Sequence, residues 1–332
     1  MFVALAGGVG AARLLSGLVQ IVPAAQITAV INTADDMVLH GLYISPDIDT
    51  ITYTLAGIAN VDTGWGIAGE TWTTMQALES LGGETWFRLG DRDMATHLYR
   101  THRMSEGAAL SLVTSEIATT RGVHVRLLPM SDDPIRTRLT IAKVTTDDED
   151  SASSEIRASN SQDPEPHTGE ISFQDYFVRR QHRVRVRAIR FAGADQAQPG
   201  PGVLDAVATA SRLIVCPSNP LVSIAPLLSI KELHSLLTTR RDDIVAVSPI
   251  VAGAALKGPA DRLLVELGHE SSVVGVARLY APWCSTLVID RADAYLAPQV
   301  EAEGMQCIVT DTVMSTPERA ASLAKVLLDV EG

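Results

Sequence analysis

The beginning of the chain combines a short buried strand, a glycine-rich turn and an amphipathic helix, and this combination constrains the fold more than any other feature. Residues 1–6 are apolar and of strand length, residues 11–22 have helical hydrophobic spacing, and residues 26–32 form a second apolar run. The turn Gly7-Gly8-Val9-Gly10 separates the first strand from the helix. We therefore predict a βαβ unit, whose crossover is right-handed in nearly all proteins.

Apolar strands and helices continue to alternate along the rest of the chain. Aromatic residues make up only 5% of the sequence, so Ala, Val, Leu and Ile must fill the core, a mixture typical of a parallel sheet covered by helices. We predict a single α/β domain over residues 1–332, with a Rossmann-like three-layer fold, a mostly parallel sheet and a smaller irregular lobe around residues 135–190. Further strands are expected at 123–128, 137–145, 173–178, 183–187, 212–216, 244–247, 286–289 and 305–309, and helices at 70–81, 93–106, 110–120, 230–238, 271–280 and 317–330.

A strongly acidic segment interrupts this pattern. Residues 146–170 hold eight acidic side chains and one basic one, Arg157, so the segment carries a net −7 of the chain's −12. Because it has few apolar residues, the segment cannot bury enough surface to offset the entropy of ordering, and we predict a mobile surface insertion. The alternative is a tail that binds a basic partner.

Composition excludes several classes of protein. A net charge of −12 argues against nucleic-acid binding, which needs a clustered basic surface. No apolar run approaches the roughly 18 residues of a membrane span, and no positive segment precedes the first strand as it would in a signal peptide. The three cysteines lack C-x-x-C spacing, which disfavours a disulfide framework. We expect a cytoplasmic protein with no nucleic-acid or membrane partner.

The glycine turn is a candidate phosphate site. It exposes backbone N–H groups at a helix N-terminus, where the helix dipole also favours an anion. The turn departs from the G-x-G-x-x-G dinucleotide fingerprint, since the second strand ends in Asn32-Thr33 and not in an acid, and it lacks the G-K-[ST] of a P-loop. Phosphate binding by the segment from Gly7 to Arg13 is therefore one interpretation, and tight strand-to-helix packing is the other.

Four aspartates follow the second strand, where an α/β sheet places its ligands. Asp35 and Asp36 come directly after the strand, and Asp47 and Asp49 follow a short loop. Carboxylate oxygens beside a phosphate site suit Mg²⁺, which takes one or two carboxylates together with phosphate and water oxygens. Each aspartate could alternatively cap a turn or helix.

Two further polar segments could contact a ligand. Ser218 and Asn219 lie between two prolines after a strand, where a rigid polar loop can bind a base or a ribose, or can simply turn the chain. Arg88 precedes Gly90-Asp91-Arg92-Asp93 and is a good anion ligand.

These segments occur together in an order that resembles one known family. The chain strongly resembles the 2-phospho-L-lactate transferase family of coenzyme F-420 biosynthesis, over nearly its whole length apart from the acidic segment. The residues that carry the resemblance are Gly7-Gly8-Val9-Gly10, Asn32-Thr33-Ala34-Asp35-Asp36, Ser45-Pro46-Asp47-Ile48-Asp49-Thr50, Leu89-Gly90-Asp91-Arg92-Asp93, Pro129-Met130-Ser131-Asp132-Asp133-Pro134, Phe173-Gln174-Asp175-Tyr176-Phe177, Pro217-Ser218-Asn219-Pro220 and Val247-Ser248-Pro249-Ile250.

The resemblance implies a reaction and its participants. The family transfers a phospholactyl, phosphoenolpyruvyl or phosphoglyceryl group from a guanosine diphosphate diester, such as lactyl-2-diphospho-5′-guanosine, to the ribityl hydroxyl of the deazaflavin FO (7,8-didemethyl-8-hydroxy-5-deazariboflavin). GMP is released, Mg²⁺ is required, and the product is coenzyme F-420-0 or its dehydro or glyceryl analogue. The resemblance also implies a homodimer, and it leaves all three donor acids open.

The resemblance further implies roles for single residues. It places nucleotide phosphates on Gly7, Gly8, Val9 and Gly10, which we extend to Arg13, and the guanosine end at Ser218 and Asn219, where loop placement also supports it. It puts Asp49 and Arg88 at positions that contact FO and Asp35 at a metal position, with Asp49 as a second metal candidate. Asp36 and Asp49 are the candidate catalytic residues, Asp36 as the base.

Two other functions compete with this one. A nonenzymatic nucleotide-sugar-binding regulator of the YvcK-like type shares the glycine turn and the Asn-x-x-Asp region, but the segments at residues 90–93 and 173–175 favour the transferase. A nicotinamide-dependent oxidoreductase is disfavoured by the missing dinucleotide fingerprint.

Overall fold

The centre of the molecule is a seven-stranded sheet in which all strands are parallel. The computed structural model describes residues 1–142 and 169–330, and the sheet order is β14-β13-β10-β9-β1-β2-β5. The strands are β1 (Phe2–Ala6), β2 (Ile27–Ile31), β3 (Met37–Leu39), β4 (Leu42–Ile44), β5 (Arg126–Pro129), β6 (Arg136–Ile141), β7 (Glu170–Ser172), β8 (Val186–Ala192), β9 (Arg212–Val215), β10 (Ile244–Val247), β11 (Ile250–Val251), β12 (Ala254–Ala255), β13 (Thr286–Asp290) and β14 (Gln306–Thr310).

Helices cover both faces of this sheet, so the fold has the three predicted layers. They are α1 (Gly8–Ile21), α2 (Pro46–Leu55), α3 (Thr73–Ser80), α4 (Asp91–Ser105), α5 (Leu110–Thr120), α6 (Val203–Thr209), α7 (Ala225–Leu228), α8 (Lys231–Thr239), α9 (Ala260–Glu266), α10 (Val273–Tyr280), α11 (Ala297–Ala302) and α12 (Pro317–Asp329). The α/β class, the Rossmann-like architecture and the mostly parallel sheet are confirmed.

Side chains of the sheet alternate between two hydrophobic cores. In β1, Val3 and Leu5 belong to a core with helices α6–α11, whereas Ala4 and Ala6 belong to a core with α1, α2, α5 and α12. Both sets are fully or almost fully buried. A strand buried on both faces must be apolar throughout, which is why β1 reads as a continuous apolar run and not as an alternating one.

The smaller lobe contains an antiparallel sheet with the order β7-β6-β8. In this region one strand prediction is wrong and a second is wrong in part. The chain at 173–178 does not continue as a strand, because Asp175–Arg179 form a π-helical turn, and the strand predicted at 183–187 is instead Val186–Ala192, which pairs with β6. Of the predicted acidic insertion, 146–170, the structure describes Gly169 and Glu170 alone, and Glu170 begins β7.

The polar stretch after β2 contains more regular structure than the sequence pattern indicates. It forms the β3–β4 hairpin and the helix α2, whose first position is a proline. A proline at the start of a helix is favourable, since its missing N–H would have no helical partner there. This helix carries Asp47 and Asp49 in its first turn, and both are buried.

In the part of the chain that the structure describes, no single helix has the length and apolar character needed to cross a membrane. One bent pair, Pro220–Leu228 and Lys231–Thr239, meets the length and composition requirement together, with 94° between its halves.

Candidate functional site

The candidate site lies at the point in the sheet where the order of the strands reverses. From β1 the chain proceeds to β2 and β5 on one side, and later returns to β9, β10, β13 and β14 on the other. In such a sheet, ligands bind in the crevice beyond the carboxyl ends of the two central strands. The segments that follow β1 and β9 are the glycine turn and the loop Pro217-Ser218-Asn219.

The glycine turn joins β1 to α1 with very little space around it. The backbone of Gly8 has φ +69°, a conformation that favours glycine. At Gly10 a side chain would not fit, because a Cβ there would lie 2.1 Å from the carbonyl oxygen of Pro217. The Ser218 hydroxyl donates to the Gly7 carbonyl at 2.7 Å. The turn and the β9 loop are therefore in direct contact, and the first-turn N–H groups of α1 have no acceptor within their own helix.

The loop residues predicted to bind guanosine also have structural partners. Ser218 is buried and holds the glycine turn, while the side-chain oxygen of Asn219 accepts from the backbone N–H of Leu221 at 2.9 Å and caps the following π-helical turn. Both residues lie in the predicted crevice. Their contact with guanosine remains a prediction.

Two buried carboxylates share one amide beside the glycine turn. The Asn32 Nδ2 atom donates to Asp35 at 3.2 Å and to Asp47 at 2.9 Å. A Cβ on Gly7 would lie 3.0 Å from Asp47 Oδ2, so this carboxylate stands against the turn. Asp35 Oδ1 is buried with no donor in hydrogen-bonding geometry among the described residues.

Burial disfavours the state in which both of these carboxylates are ionised. Desolvation, and then the charge of Asp47, raise the pKa of Asp35 well above its usual range. Burial likewise raises the pKa of Asp47 to about 6, although hydrogen bonds from Asn32 and from the backbone of Gly8 oppose the rise. A cation placed between them would stabilise the ionised pair.

Asp36 lies next to this pair in a different environment. The Ser45 hydroxyl donates to its Oδ2 at 2.9 Å, and its Oδ1 is buried with no donor in bonding geometry from any described residue. Burial raises the pKa of Asp36 to about 7, with Arg136 acting in the opposite direction. A carboxyl group with a pKa near neutrality can accept a proton and release it again.

Asp49 belongs to a buried ion pair. Both of its oxygens accept hydrogen bonds from Arg100, one of them at 3.1 Å, and Arg100 is fully buried. His97 lies between Asp49 and Asp93, with its Nδ1 3.7 Å from the first and its Nε2 3.3 Å from the second. Tyr53 donates to Asp93 at 2.6 Å. The roles predicted for Asp49 in FO contact, metal binding and catalysis stay predictions, but its oxygens are already engaged.

Arg88 lies on an aromatic cluster. Its guanidinium carbon is 4.3 Å from the centre of the Trp72 ring, and Trp65 meets Trp72 edge to face at 6.3 Å. Such an arrangement orients the guanidinium and provides flat apolar surface. FO contact by Arg88 remains a prediction.

The small lobe is attached to the acidic residues. The Gln174 side-chain amide donates to the carbonyl oxygen of Asp35 at 3.4 Å, and the backbone N–H of Thr137 donates to the carbonyl oxygen of Ala34 at 2.7 Å. Gln174 is buried. The lobe therefore helps to position the segment that carries Asp35 and Asp36.

The described residues contain no group of three or more His, Cys, Asp or Glu side chains arranged to hold a metal ion. This does not conflict with Mg²⁺, which is commonly bound by one or two carboxylates with substrate phosphates and water. Asp35 and Asp47 are the residues whose placement suits that mode.

Sequence reasoning missed Arg100 and gave no role of its own to Asp47. Asp93, His97 and Arg100 repeat at helical spacing along α4, and the stripe is buried. This helical spacing can be read from the sequence, but charged residues at such spacing more often lie on the solvated face of a helix.

Comparison with known proteins gives a consistent result. A family model described as 2-phospho-L-lactate transferase CofD matches residues 2–327. A phosphoenolpyruvate transferase of Streptomyces griseus is 39% identical over 330 residues, which is 99% of this chain and 97% of that protein. A phosphoenolpyruvate transferase of Mycolicibacterium smegmatis is 35% identical, covering 99% and 98%. A 2-phospho-L-lactate transferase of Methanosarcina mazei is 33% identical, covering 97% of each chain.

Among solved structures, a UPF0052-family protein of Bacillus halodurans superposes with a TM-score of 0.58 at 14% identity, covering 99% of this chain and 98% of that one. At this identity the likeness shows the fold alone.

Proposed function

Because the chain belongs to the 2-phospho-L-lactate transferase CofD family, we propose that it transfers a phospho-acid group from a guanosine diphosphate diester to the ribityl hydroxyl of the deazaflavin FO, with Mg²⁺ as cofactor. GMP leaves, and the product is coenzyme F-420-0 or an analogue. The observation that carries this proposal is the pair of buried carboxylates, Asp35 and Asp47, that share one amide beside the glycine turn.

The residues at this point fit Mg²⁺. No described residue donates to Asp35 Oδ1 in hydrogen-bonding geometry, the pKa values of both carboxyls are raised, and the glycine turn lies against Asp47. Asp35 and Asp47 would hold the ion, with the donor's phosphate oxygens completing its ligands. When bound, Mg²⁺ would neutralise charge on the diphosphate.

Phosphoryl transfer of this kind needs positioning, charge neutralisation and a proton acceptor. The ribityl oxygen attacks the distal phosphorus, the bond from that phosphorus to the bridging oxygen breaks, and the electron pair stays with GMP. Asp36 accepts the hydroxyl proton through its unpartnered Oδ1. The N–H groups of the glycine turn bind the phosphates, and Arg88 with Trp72 offers a flat surface to the deazaflavin.

For the donor acid we favour the enolpyruvyl group. Relatives named phosphoenolpyruvate transferases are 39% and 35% identical to the chain, whereas the relative named 2-phospho-L-lactate transferase is 33% identical. This ranking of the donors rests on the sequence similarity of the relatives, because the three donor acids differ by only a few atoms.

Mass spectrometry of the reaction product tests the proposal. The protein is incubated with FO, Mg²⁺ and each of the enolpyruvyl, lactyl and glyceryl guanosine diphosphate diesters, and the FO phosphodiester and GMP are measured. We expect the product with wild type, fastest with the enolpyruvyl donor, and a loss of at least 100-fold in Asp35→Asn and Asp47→Asn.

The matched control is Asp205→Asn, on the exposed surface of α6 across the sheet, which should keep wild-type activity. Circular dichroism checks that each variant is folded. Wild-type rates in folded Asp35→Asn and Asp47→Asn would overturn the site, and no product from any donor would overturn the reaction.

FO titration separates this proposal from the regulator hypothesis. Binding of FO at micromolar concentration supports the transferase. A protein that bound nucleotide sugars but no FO would instead be a nucleotide-sugar-binding regulator.

A further inference from the structure

Two cationic side chains converge at the edge of the crevice from distant parts of the chain. Arg13 lies on α1, one helical turn after Val9 of the glycine turn, and Lys257 lies in the loop between β12 and α9. Gly64 lies close to both Lys257 and the glycine turn, since a Cβ built on it would lie 2.5 Å from Lys257 Nζ and 3.6 Å from Val9 Cγ1. The ammonium group therefore lies beside the glycine turn.

The two side chains are close enough for the charge of Arg13 to act on Lys257. Neither Arg13 nor Lys257 has a carboxylate within salt-bridge distance among residues 1–142 and 169–330. Partial burial, and then the charge of Arg13, lower the pKa of Lys257. Like charges held this close repel, and an anion bound between them would relieve the repulsion.

A small cavity opens beside Arg13 and Gly64. It has a volume of about 180 Å³ and is lined by Val9, Arg13, Thr54, Asn60, Gly64 and neighbouring backbone. Whole-ligand pockets are typically about 300–1,000 Å³, so this space suits one or two phosphate groups better than a nucleoside. Arg13, Thr54 and Asn60 are the polar residues of its lining.

From this geometry we infer that Arg13 and Lys257 form a clamp on the diphosphate of the nucleotide donor, beside the glycine turn. The inference rests on the proposed function and adds Lys257 to its binding residues. When the bond between the distal phosphorus and the bridging oxygen breaks, the charge gained by the leaving GMP phosphate lies beside the clamp.

Calorimetric titration with GDP, GMP and guanosine tests the clamp. For Lys257→Gln and Arg13→Gln we expect GDP affinity to fall about 10-fold or more, GMP affinity to fall less, and guanosine affinity to stay within twofold of wild type. Lys257→Arg should retain most GDP affinity because it keeps the charge. Lys231→Gln, an exposed lysine at the start of α8, is the matched control and should bind GDP as wild type does.

Three results distinguish this inference from the proposed function. Unchanged GDP affinity in both variants, with an active wild-type transferase, overturns the clamp and leaves the function intact. Equal losses for GDP and guanosine overturn the clamp by showing a structural role. Selective loss of GDP binding, in a protein that makes no FO product, supports the clamp and overturns the function.

Discussion

Asp36 and Asp49 are chemically identical, yet their partners give them different capacities. Asp36 is buried, with a hydroxyl donor on one oxygen and no described donor in bonding geometry on the other, while Asp49 has both oxygens on Arg100. Two carboxyls in contrasting environments are a common basis for assigning acid–base roles. This contrast supports our proposal that Asp36 is the base. The sequence predicted that both would lie at the strand ends, but it could not identify the partner of Asp49, because Arg100 comes from a helix far along the chain.

Asp36→Asn is expected to remove a pH-dependent cost of folding. Burial raises the pKa of Asp36 from 3.8 to about 7, so the folded protein keeps this proton where the unfolded chain has lost it. The stability from this proton is complete below about pH 4 and is lost as the pH rises through 7. At about 1.4 kcal/mol per pKa unit, the variant should gain about 3 kcal/mol on wild type between pH 5 and pH 8.

Urea denaturation of both proteins at several pH values measures this gain. Asp205→Asn, with an exposed carboxyl, should show no such trend. A constant difference between wild type and Asp36→Asn at pH 5 and pH 8 would contradict the burial argument. The variant should also lose transferase activity at every pH, since Asn cannot accept the proton.

At the scale of elements, the sequence predicted those whose burial is uniform and missed those whose buried face is polar. The β1–α1–β2 unit is apolar on its buried surfaces, and its boundaries were predicted to within three residues. The helix α2 was not predicted, because Asp47 and Asp49 on its buried side resemble loop residues. Phe173, Tyr176 and Phe177 were assigned to a strand, although their spacing of three and four residues is helical and their rings pack together.

The ion pair that joins α2 to α4 should be worth far more than a surface pair on the same helix. Arg100→Gln leaves the Asp49 charge buried without its partner, and such changes cost about 3–5 kcal/mol. Arg103→Gln, one turn later on α4, removes a partly exposed arginine that pairs with Glu106 and Glu116, and should cost about 0–1 kcal/mol.

The free energy of unfolding from urea denaturation compares the two variants, and Arg100→Gln combined with Asp49→Asn should recover part of the loss because no charge is left unpaired. Equal costs for Arg100→Gln and Arg103→Gln would show that the pair does not tie the two helices together. Titration with FO then shows whether loosening α2 also weakens acceptor binding.

At the scale of the whole molecule, alternation of strands and helices was enough to predict a parallel sheet in three layers. The sequence also predicts a candidate site at the strand ends, because these converge in such a sheet. Which loops touch across the crevice could not be predicted, because the contact of Gly10 with Pro217 and that of Lys257 with Gly64 depend on the sheet order. The contact of the small lobe with Asp35 could not be predicted either, because Gln174 reaches Asp35 only when the lobe is folded onto the main sheet.

In the chain, the acidic segment lies between β6 and β7, which are paired strands of the small lobe. Strands β6 and β7 are antiparallel neighbours, with Thr140 paired to Glu170, and the Ile141 N–H donates to the Gly169 carbonyl at 2.8 Å. Deleting residues 146–168 would leave residues 142–145 to connect Ile141 with Gly169. Loops of four residues are common in hairpins, so the shortened chain can make this connection without moving either strand.

We expect this deletion variant to keep the fold and the transferase activity. The deletion removes seven acids and one arginine, a net −6, so the charge of the chain changes from −12 to −6. At about 0.15 M salt, charges more than about 8 Å apart are largely screened, and the Michaelis constant for the anionic donor should change by less than threefold. Thermal unfolding and steady-state kinetics, compared with wild type, measure both effects. A folded deletion variant with a 10-fold or greater loss of kcat would show that the segment belongs to the active site, and would contradict its assignment as a surface insertion.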